Sequence, residues 1–203
     1  MKEICITAIK EYGFSDFNSG KLLFEGGLGG YMTNYSKIKK WSIENGVGIR
    51  TSIFFSGCEF GCKGCFNKEL WSFSTGKPFS REVYENEIKP TINEHIDGIS
   101  ILGGEAFHPK NIEATSDLIN WFSEDFPNKT IWCWTGYTWE ELMYRVWKGD
   151  DTLSWVIAGI DVLVDGRFIE EQKDLSLKWC GSRNQRVIDV KKSLEKGEIV
   201  LYE

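Results

Sequence analysis

Apolar residues recur with two different periods along the chain, and the alternation of these periods predicts its elements. Short runs of β-branched and aromatic residues predict strands at 49–55, 99–102, 130–134, 160–164 and 186–190. Apolar positions at helical spacing predict helices at 80–95, 111–124 and 139–147, with Ser80 as the N-cap of the first helix. Strands that alternate with helices are typical of βαβ units, so the pattern predicts an α/β fold with a mostly parallel open sheet.

Residues 1–31 lack this periodicity and end in the glycine-rich run Glu-Gly-Gly-Leu-Gly-Gly-Tyr. We therefore divide the chain into an N-terminal extension, 1–31, and one domain, 32–203. Because regular patterning begins near Met32 and the preceding residues can be encoded by a ribosome-binding sequence, we expect Met32 to be the natural start. The alternative is a genuine extension that covers the sheet or contacts a partner.

The charge balance narrows the classes of partner. The chain has 24 Lys and Arg against 30 Asp and Glu, a net charge of −6, which argues against nonspecific binding to nucleic acid or to a membrane surface. No apolar run approaches the roughly 20 residues of a transmembrane helix, and the N-terminus lacks the apolar core of a secretory signal. We expect a cytoplasmic protein whose thiols stay reduced.

Three of the six cysteines, Cys58, Cys62 and Cys65, cluster just after the strand at 49–55. Three thiolates can hold three irons of a cubic iron–sulfur cluster and leave the fourth iron open to a substrate. The spacing also allows a structural zinc site with Cys180 or His108 as fourth ligand, or a redox pair made of Cys62 and Cys65.

A second strand end carries Gly103, Gly104 and Glu105. In parallel sheets ligands sit beyond the carboxyl ends of the strands, so we expect this turn and the cysteine loop to face the same site. Two glycines permit close backbone approach, and the carboxylate can accept hydrogen bonds from an ammonium group. The two features together predict a pocket for an amino-acid moiety bound to the open iron.

Several blocks of sequence resemble the activating enzymes of anaerobic (class III) ribonucleotide reductases, which belong to the radical S-adenosylmethionine superfamily. The blocks are Gly46–Thr51, Ser56–Asn67, Gly103–Glu105 with His108-Pro109, Trp132–Tyr137, Asp161–Phe168 and Gly181–Arg186. Many radical enzymes share the cysteine spacing, but the later blocks in this order are far more specific. The chain departs from the family at two positions. Ala106 stands where Pro is usual, a change that would loosen the turn, and Cys180 stands where Arg is expected.

The resemblance implies a partial (β/α) barrel with a 4Fe–4S cluster and S-adenosylmethionine, whose amino and carboxylate groups would chelate the fourth iron. The implied cluster ligands are Cys58, Cys62 and Cys65; Gly103, Gly104 and Glu105 would hold the amino group, and Gly64 and Phe66 would lie near the adenosyl part. No catalytic residue is implied beyond the cluster and the cofactor.

The activity implied by the resemblance is reductive cleavage of S-adenosylmethionine to a 5′-deoxyadenosyl radical. That radical would take a hydrogen from a glycine of the reductase large subunit and leave a glycyl radical there. An electron donor such as flavodoxin would supply the electron to the cluster. The alternatives are an activase of another glycyl-radical enzyme, such as a relative of the pyruvate formate-lyase activator, and a non-catalytic zinc-binding adaptor.

Four further features are open to two interpretations or favour a structural one. The Asp165–Arg167 turn has a structural interpretation, as a strand-end turn with a solvated Arg. Its functional interpretation is a wall of the cofactor pocket or a contact for the partner. Cys180 is either an inert small hydrophobe or an additional redox thiol. For His95 and His108 we expect structural roles, because no partner pattern suggests a base.

Overall fold

The computed structural model describes residues 32–203, so the expectations for residues 1–31 lie outside the described residues. The strands are β1 (Asn34–Ser42), β2 (Arg50–Phe55), β3 (Lys77–Pro78), β4 (Gly98–Gly103), β5 (Thr130–Trp134), β6 (Val162–Asp165) and β7 (Arg186–Asp189). They form one sheet in the order β3-β1-β2-β4-β5-β6-β7. Strands β2, β4, β5 and β6 run parallel, whereas β1 and β7 are antiparallel to their neighbours.

Five α-helices accompany the sheet in the described part of the chain. They are α1 (Arg81–Val83), α2 (Ile112–Asp125), α3 (Trp139–Trp147), α4 (Asp151–Gly159) and α5 (Val190–Lys196). Short 3₁₀ helices lie at Lys68–Leu70 and Glu170–Gln172. The predicted α/β class and open sheet are therefore confirmed, and the sheet is mixed, with antiparallel strands on both sides of its parallel centre.

The predicted helix at 80–95 differs most from the structure. It begins as expected, with the Ser80 hydroxyl accepting a hydrogen bond from the backbone of Val83. The α-helix then widens into a π-helix at Tyr84–Ile88 and tightens into a 3₁₀ helix at Lys89–Thr91, where the helical segment ends. Pro90 lies in this last turn, and a proline cannot donate the backbone hydrogen bond that a continuing helix requires.

Two outer strands also depart from the sequence pattern. Strand β1 was not predicted, because register shifts between Tyr35 and Lys37 and between Lys39 and Ser42 interrupt the alternation of apolar and polar residues. Strand β7 is antiparallel to β6. The described chain between them forms only the 3₁₀ helix at Glu170–Gln172, and a parallel pair needs a longer crossover connection.

The remaining predicted elements are confirmed within one or two residues at each end. Strand β5 and helix α3 have the predicted bounds, and α2 and β6 are displaced by one or two residues. Helices α4 and α5 were not predicted. In α4, apolar residues occupy most positions instead of forming one stripe, which gives little helical periodicity.

The sheet packs on both faces. Alternate residues of the central strands, such as Ile53, Ile101 and Leu163, join the side chains of α2, α3 and α4 in the main core. The intervening residues point to the opposite face, where Phe54 and Leu102 pack with Leu70 and Trp134. Parallel strands buried on both sides read as nearly continuous apolar runs, which explains why the sequence identified them.

We call the edge where β2, β4, β5 and β6 end the carboxyl edge, and the opposite one the amino edge. The cysteine loop follows β2 at the carboxyl edge, and the turns after β4, β5 and β6 lie beside it, because parallel strands end on the same side. No helix among residues 32–203 is long and apolar enough to cross a membrane.

Candidate functional site

The cysteine loop leaves β2 through a short hydrogen-bonded root. The backbone N–H of Ser56 donates to Asn34 O at 2.8 Å, and that of Gly57 donates to Leu70 O at 2.8 Å. The N–H of Cys58 donates to Trp71 O at 3.0 Å. The start of the loop is therefore hydrogen-bonded both to β1 and to the segment at Leu70 and Trp71, where the loop ends.

The loop brings together the three cysteines that were predicted as ligands. Cys58, Cys62 and Cys65 are free and half-buried. Burial raises the pKa of the Cys58 thiol to about 11, with Cys62, Cys65 and the Glu105 carboxylate adding to the increase, whereas a hydrogen bond from the backbone of Phe60 opposes it. The three sulfur atoms therefore lie within electrostatic reach of one another, and binding of a metal would displace their protons.

Each of the other two sulfurs has a donor or a cation nearby. Burial also raises the pKa of Cys62, whereas the backbone of Phe168 and the Arg167 guanidinium lower it. The backbone N–H of Asn67 donates to Cys65 Sγ at 3.4 Å. Donors and positive charge around sulfur suit an anionic ligand, so the chemistry of this loop fits a thiolate-bound iron–sulfur cluster.

Within residues 32–203, no group of three or more His, Cys, Asp and Glu side chains has the geometry to hold a single metal ion. A zinc site needs its ligands to converge on one ion, whereas the three thiolates of an open cluster each bind a different iron. Among these residues, therefore, neither Cys180 nor His108 joins the three loop cysteines in a converging set of ligands.

The Gly103–Glu105 turn lies directly against the root of the cysteine loop. The backbone N–H of Gly104 donates to Phe55 O, and that of Glu105 donates to Gly57 O, both at 2.8 Å. A Cβ atom at position 104 would lie 2.5 Å from Gly57 O, so only glycine permits this approach. At Gly103, φ is +110° and a Cβ would lie 2.6 Å from Phe55 O, which imposes the same requirement.

The Glu105 carboxylate is buried and bound within the protein. One oxygen accepts from the backbone of Phe107 at 2.9 Å and from the Thr135 hydroxyl at 2.8 Å; the other accepts from the backbone of Gly136 at 2.7 Å. Burial raises the pKa of Glu105 to about 7, while these three donors and Arg145 act in the opposite direction. The side chain thus links the turn after β4 to the turn after β5.

Ala106, where the family usually has Pro, also lies in the turn after β4. Its carbonyl accepts a hydrogen bond from Thr115 Oγ1 at 2.9 Å, so the turn stays bound at this position.

Gly64 and Phe66, predicted near an adenosyl group, lie on the outer side of the loop. Gly64 has a φ of +72° and faces the carboxylate of Glu170. Phe66 is 56% exposed, and its ring centroid lies 5.2 Å from that of Phe168. The ammonium group of Lys173 lies 5.1 Å from the Phe66 ring centroid. The Phe66 ring thus presents an accessible aromatic surface beside Cys65.

A cavity of about 400 Å³ lies beyond the ends of β5 and β6. Residues in its wall include Gly136, Glu140, Asp165, Arg167, Asn184 and Arg186. Arg186 donates to both oxygens of Glu140, at 3.0 and 2.8 Å, and from Nε to the buried Asp165 at 3.0 Å. The sequence analysis assigns no role to Thr135, Glu140 or Arg186. Thr135 and Arg186 nevertheless lie in blocks of sequence that resemble the family.

Arg167 connects this cavity to the cysteine loop. Its guanidinium lies 4.5 Å from the ring centroid of Phe60 and pairs with Glu141 at 3.4 Å, and its charge opposes the rise that burial causes in the pKa of Cys62. The Asp165–Arg167 turn therefore ends β6 with an Arg167 side chain that is 52% exposed, and it also lines the cavity; a cofactor or partner role for it stays a prediction. Asp165 itself is buried and accepts a hydrogen bond from the backbone of Trp139 at 2.7 Å.

Cys180 is half-buried and, like the three loop cysteines, belongs to no group of metal-binding side chains detected in the described part of the chain. Burial raises its pKa to about 11, and the charge of Asp165 acts in the same direction. The neighbouring Gly181 faces the rings of Phe66 and Phe168, since a Cβ there would lie 2.9 Å and 3.0 Å from them. This segment therefore lines the outer side of the cysteine loop.

Neither histidine is arranged as a base. His95 is exposed, 3.7 Å from Glu94. His108 Nε2 lies 3.3 Å from Glu59, its Nδ1 accepts from the backbone of Lys110 at 3.1 Å, and its ring packs against Phe73 at 4.7 Å. These contacts agree with structural roles.

Comparison with known proteins points to the same chemistry. Residues 44–188 match a family described as "4Fe-4S single cluster domain". An anaerobic ribonucleoside-triphosphate reductase-activating protein of Vibrio cholerae is 40% identical over 154 residues, covering 75% of this chain and 95% of that protein. The protein of the same name from Escherichia coli K12 is 38% identical over 156 residues, covering 76% and 97%. The one from bacteriophage T4 is 34% identical over 156 residues, covering 76% and 92%.

Proposed function

The chain belongs to the family of anaerobic ribonucleoside-triphosphate reductase-activating proteins, and from this premise we propose that the cysteine loop is the centre of its activity. As a member of this family, the chain activates an anaerobic ribonucleotide reductase and contains a 4Fe–4S domain. One observation carries the finer assignment: three half-buried free thiols share one loop at the carboxyl edge, where parallel sheets bind ligands. We infer that Cys58, Cys62 and Cys65 are the cluster ligands.

The proposal includes S-adenosylmethionine as the second cofactor. Held by the cysteine loop and the turn after β4, the two groups would supply one-electron cleavage of the sulfonium carbon–sulfur bond to methionine and a 5′-deoxyadenosyl radical, which would take a hydrogen from a glycine of the reductase. The chain's own part is to position the cofactor and to exclude water. We further propose that the open sheet acts as a partial barrel around this site.

The contacts of Glu105 suggest how the turn after β4 would hold the methionine amino group. Both carboxylate oxygens already accept hydrogen bonds from within the protein. We therefore propose that the backbone carbonyls of Gly103 and Gly104 accept from the ammonium group, while the Glu105 side chain holds the turn in place. Gly64 and the exposed ring of Phe66 are proposed to lie near the adenosyl part, because aromatic faces bind nucleobases by stacking.

The cavity beyond β5 and β6 supports an entry route for the partner. It adjoins the cysteine loop through Arg167, and its wall of paired charges can meet polar backbone. We propose that the glycine-bearing segment of the reductase large subunit approaches from this side. A reductant such as flavodoxin would supply the electron, and a cytoplasmic location would keep the thiols reduced.

The test is anaerobic incubation of the reconstituted chain with S-adenosylmethionine, a reductant and an anaerobic ribonucleotide reductase, followed by electron paramagnetic resonance. We expect a glycyl-radical doublet on the reductase that requires all four components. Release of 5′-deoxyadenosine without this doublet would point to the activation of another glycyl-radical enzyme. A colourless chain that holds one zinc ion and releases no deoxyadenosine would contradict the proposed function.

A further inference from the structure

One buried amide outside the predicted ligand set joins the two loops of the candidate site. Asn111 is fully buried immediately before α2. Its Nδ2 group donates to Ser56 O at 3.0 Å, to Gly57 O at 3.3 Å and to Glu105 O at 2.9 Å. Ser56 and Gly57 lead directly into Cys58, and Glu105 ends the glycine turn. A single side chain therefore binds backbone on both sides of the site.

The use of this amide differs from what its position predicts. An asparagine just before a helix usually caps it by accepting from the backbone of the first turn. The Asn111 side chain makes no such bond in α2. Its Oδ1 atom is buried and has no hydrogen-bond partner among the described residues. An unsatisfied buried oxygen is destabilising, so helix stability alone does not explain why an asparagine lies at this position. The hydrogen bonds that its Nδ2 group donates to the two loops do explain it.

The backbone of Asn111 is itself held in place. Its N–H donates to His108 O at 2.8 Å, and its carbonyl accepts from Thr115 at 3.0 Å in the first turn of α2. Helix α2 buries Leu118 and Phe122 in the main core. The amide is thus fixed to a rigid element, which is the arrangement that holds a site to a defined geometry.

We propose that Asn111 is a positioning residue, which sets the spacing between the cysteine loop and the Gly103–Glu105 turn. The consequence for cofactor binding rests on the proposed function: a molecule bound to the open iron meets the turn only when this spacing is kept. Asn111 contacts neither cofactor in this account. It acts through the backbone of Ser56, Gly57 and Glu105.

Two substitutions and one matched control separate this role from general stability. Asn111→Ala removes the donor, and Asn111→Asp keeps the shape but directs an acceptor at three carbonyl oxygens. The control is Ser193→Ala, which is also buried but lies on α5 and loses hydrogen bonds to Asp189 O and from the backbone of Val200, with no partner in either loop of the site. If Asn111→Asp fails to fold, Asn111→Ala still provides the test.

The first readout is amide hydrogen exchange in the full cofactor-free chain. We expect the amides of Gly57 and Glu105, which donate to Leu70 O and Gly57 O, to exchange at least about tenfold faster in Asn111→Ala than in the unaltered chain. Exchange at these amides should be unchanged in Ser193→Ala, and exchange in β5 should be unchanged in all variants. Equal exchange at Gly57 and Glu105 in Asn111→Ala and Ser193→Ala would overturn the proposal.

The second readout is made on the reconstituted chain. Asn111→Ala should raise the KM for S-adenosylmethionine more than it lowers kcat, because the turn is displaced while the cluster remains; an unchanged KM would contradict the positioning role. If the unaltered chain forms no cluster, the proposed function fails, whereas the exchange comparison still decides the role of Asn111.

Discussion

Arg50 at the amino edge of the sheet and Glu105 at the carboxyl edge are both buried ionisable side chains, and the two are used differently. At the amino edge, Arg50 is 1% exposed. It donates to Ser100 Oγ at 2.9 Å, to Ile99 O at 2.6 Å, and to Thr130 Oγ1 and O at 2.8 and 2.6 Å. Its guanidinium also lies 5.5 Å from the ring centroid of Trp132. These contacts close that end of the sheet.

At the carboxyl edge, the buried Glu105 accepts three hydrogen bonds, two of which come from the turn after β5, and the three thiols beside it remain free. Arg50 thus binds carbonyl and hydroxyl groups at its own end, whereas Glu105 and Asn111 bind the backbone of turns that lie beside free thiols. The comparison teaches that one sheet can use a buried ionisable side chain to close one edge and another to hold the turns that carry the proposed site.

The largest effect should come from removing a ligand at the carboxyl edge. Cys58→Ala should reduce iron content after anaerobic reconstitution to background, because two thiolates hold the cluster poorly. Cys133→Ala is the matched control: it is also a free cysteine but is fully buried in the core, and Cys180→Ala is a second control. Both controls should keep their iron. Equal iron in Cys58→Ala and Cys133→Ala would remove the distinction between the edges.

Glu105 should make stability depend on pH in the cofactor-free chain. Burial raises its pKa from 4.5 to about 7, so the folded chain retains a proton that the unfolded chain loses. Stability should therefore fall as pH rises from 4.5 to 7, by about 3 kcal/mol, and level off above. The charged or titratable groups that interact with it are Arg145, Cys58, Cys133 and Tyr137.

Urea unfolding from pH 4.5 to 8 measures this dependence. Glu105→Gln should flatten the curve in that range, since it removes the titrating group. A variant whose stability falls with pH as steeply as that of the unaltered chain would show that another group is responsible.

Arg50→Met should destabilise the fold by about 2 kcal/mol, because carbonyl and hydroxyl groups at the amino edge lose their donors while the cost of burying a charge is relieved. That cost is visible in the pKa of Arg50, which burial lowers to about 10. Chemical denaturation measures the loss, with the half-exposed Arg81→Met as control. Iron content of the folded variant should be unchanged. Loss of the cluster with retained stability would contradict the division of roles between the edges.

The smallest effect should come from the cavity wall. The Arg186 guanidinium lowers the pKa of Glu140 to about 2, so this pair stabilises the fold above pH 4.5 and the contribution is lost as pH falls towards 2. Glu140 is 56% exposed, so water and salt screen the pair and Glu140→Gln should cost less than about 1 kcal/mol at neutral pH. Thermal unfolding at low and high salt measures this cost. A larger loss of stability that does not depend on salt would contradict the expectation.

Local patterns in the sequence predicted the parallel centre of the sheet. Strands β2, β4 and β5 are buried runs with clear boundaries, so both the cysteine loop and the Gly103–Glu105 turn could be assigned to strand ends. Strand β1 was missed because its bulges interrupt the alternation, and the helix after Ser80 was predicted too long. These errors arise where backbone geometry departs from a regular period.

The contacts that hold the site could not be predicted in the same way. Asn111 lies 55 residues from Ser56 in sequence, and Glu105 lies 30 from Thr135, so their pairing depends on how the loops fold back on the sheet. From sequence, Asn111 is only the first residue of the helix predicted at 111–124, and Glu105 is expected to hold an ammonium group. The ligand role of Cys58, Cys62 and Cys65 stays a prediction that only the loaded protein can test.

The central claim is that this loop holds a cluster with one open iron. The most direct measurement is electron paramagnetic resonance of the reduced, reconstituted chain before and after S-adenosylmethionine is added. The account predicts a 4Fe–4S signal that changes when S-adenosylmethionine occupies the open iron. A chain without an iron–sulfur signal, or a signal that S-adenosylmethionine leaves unchanged, would contradict it.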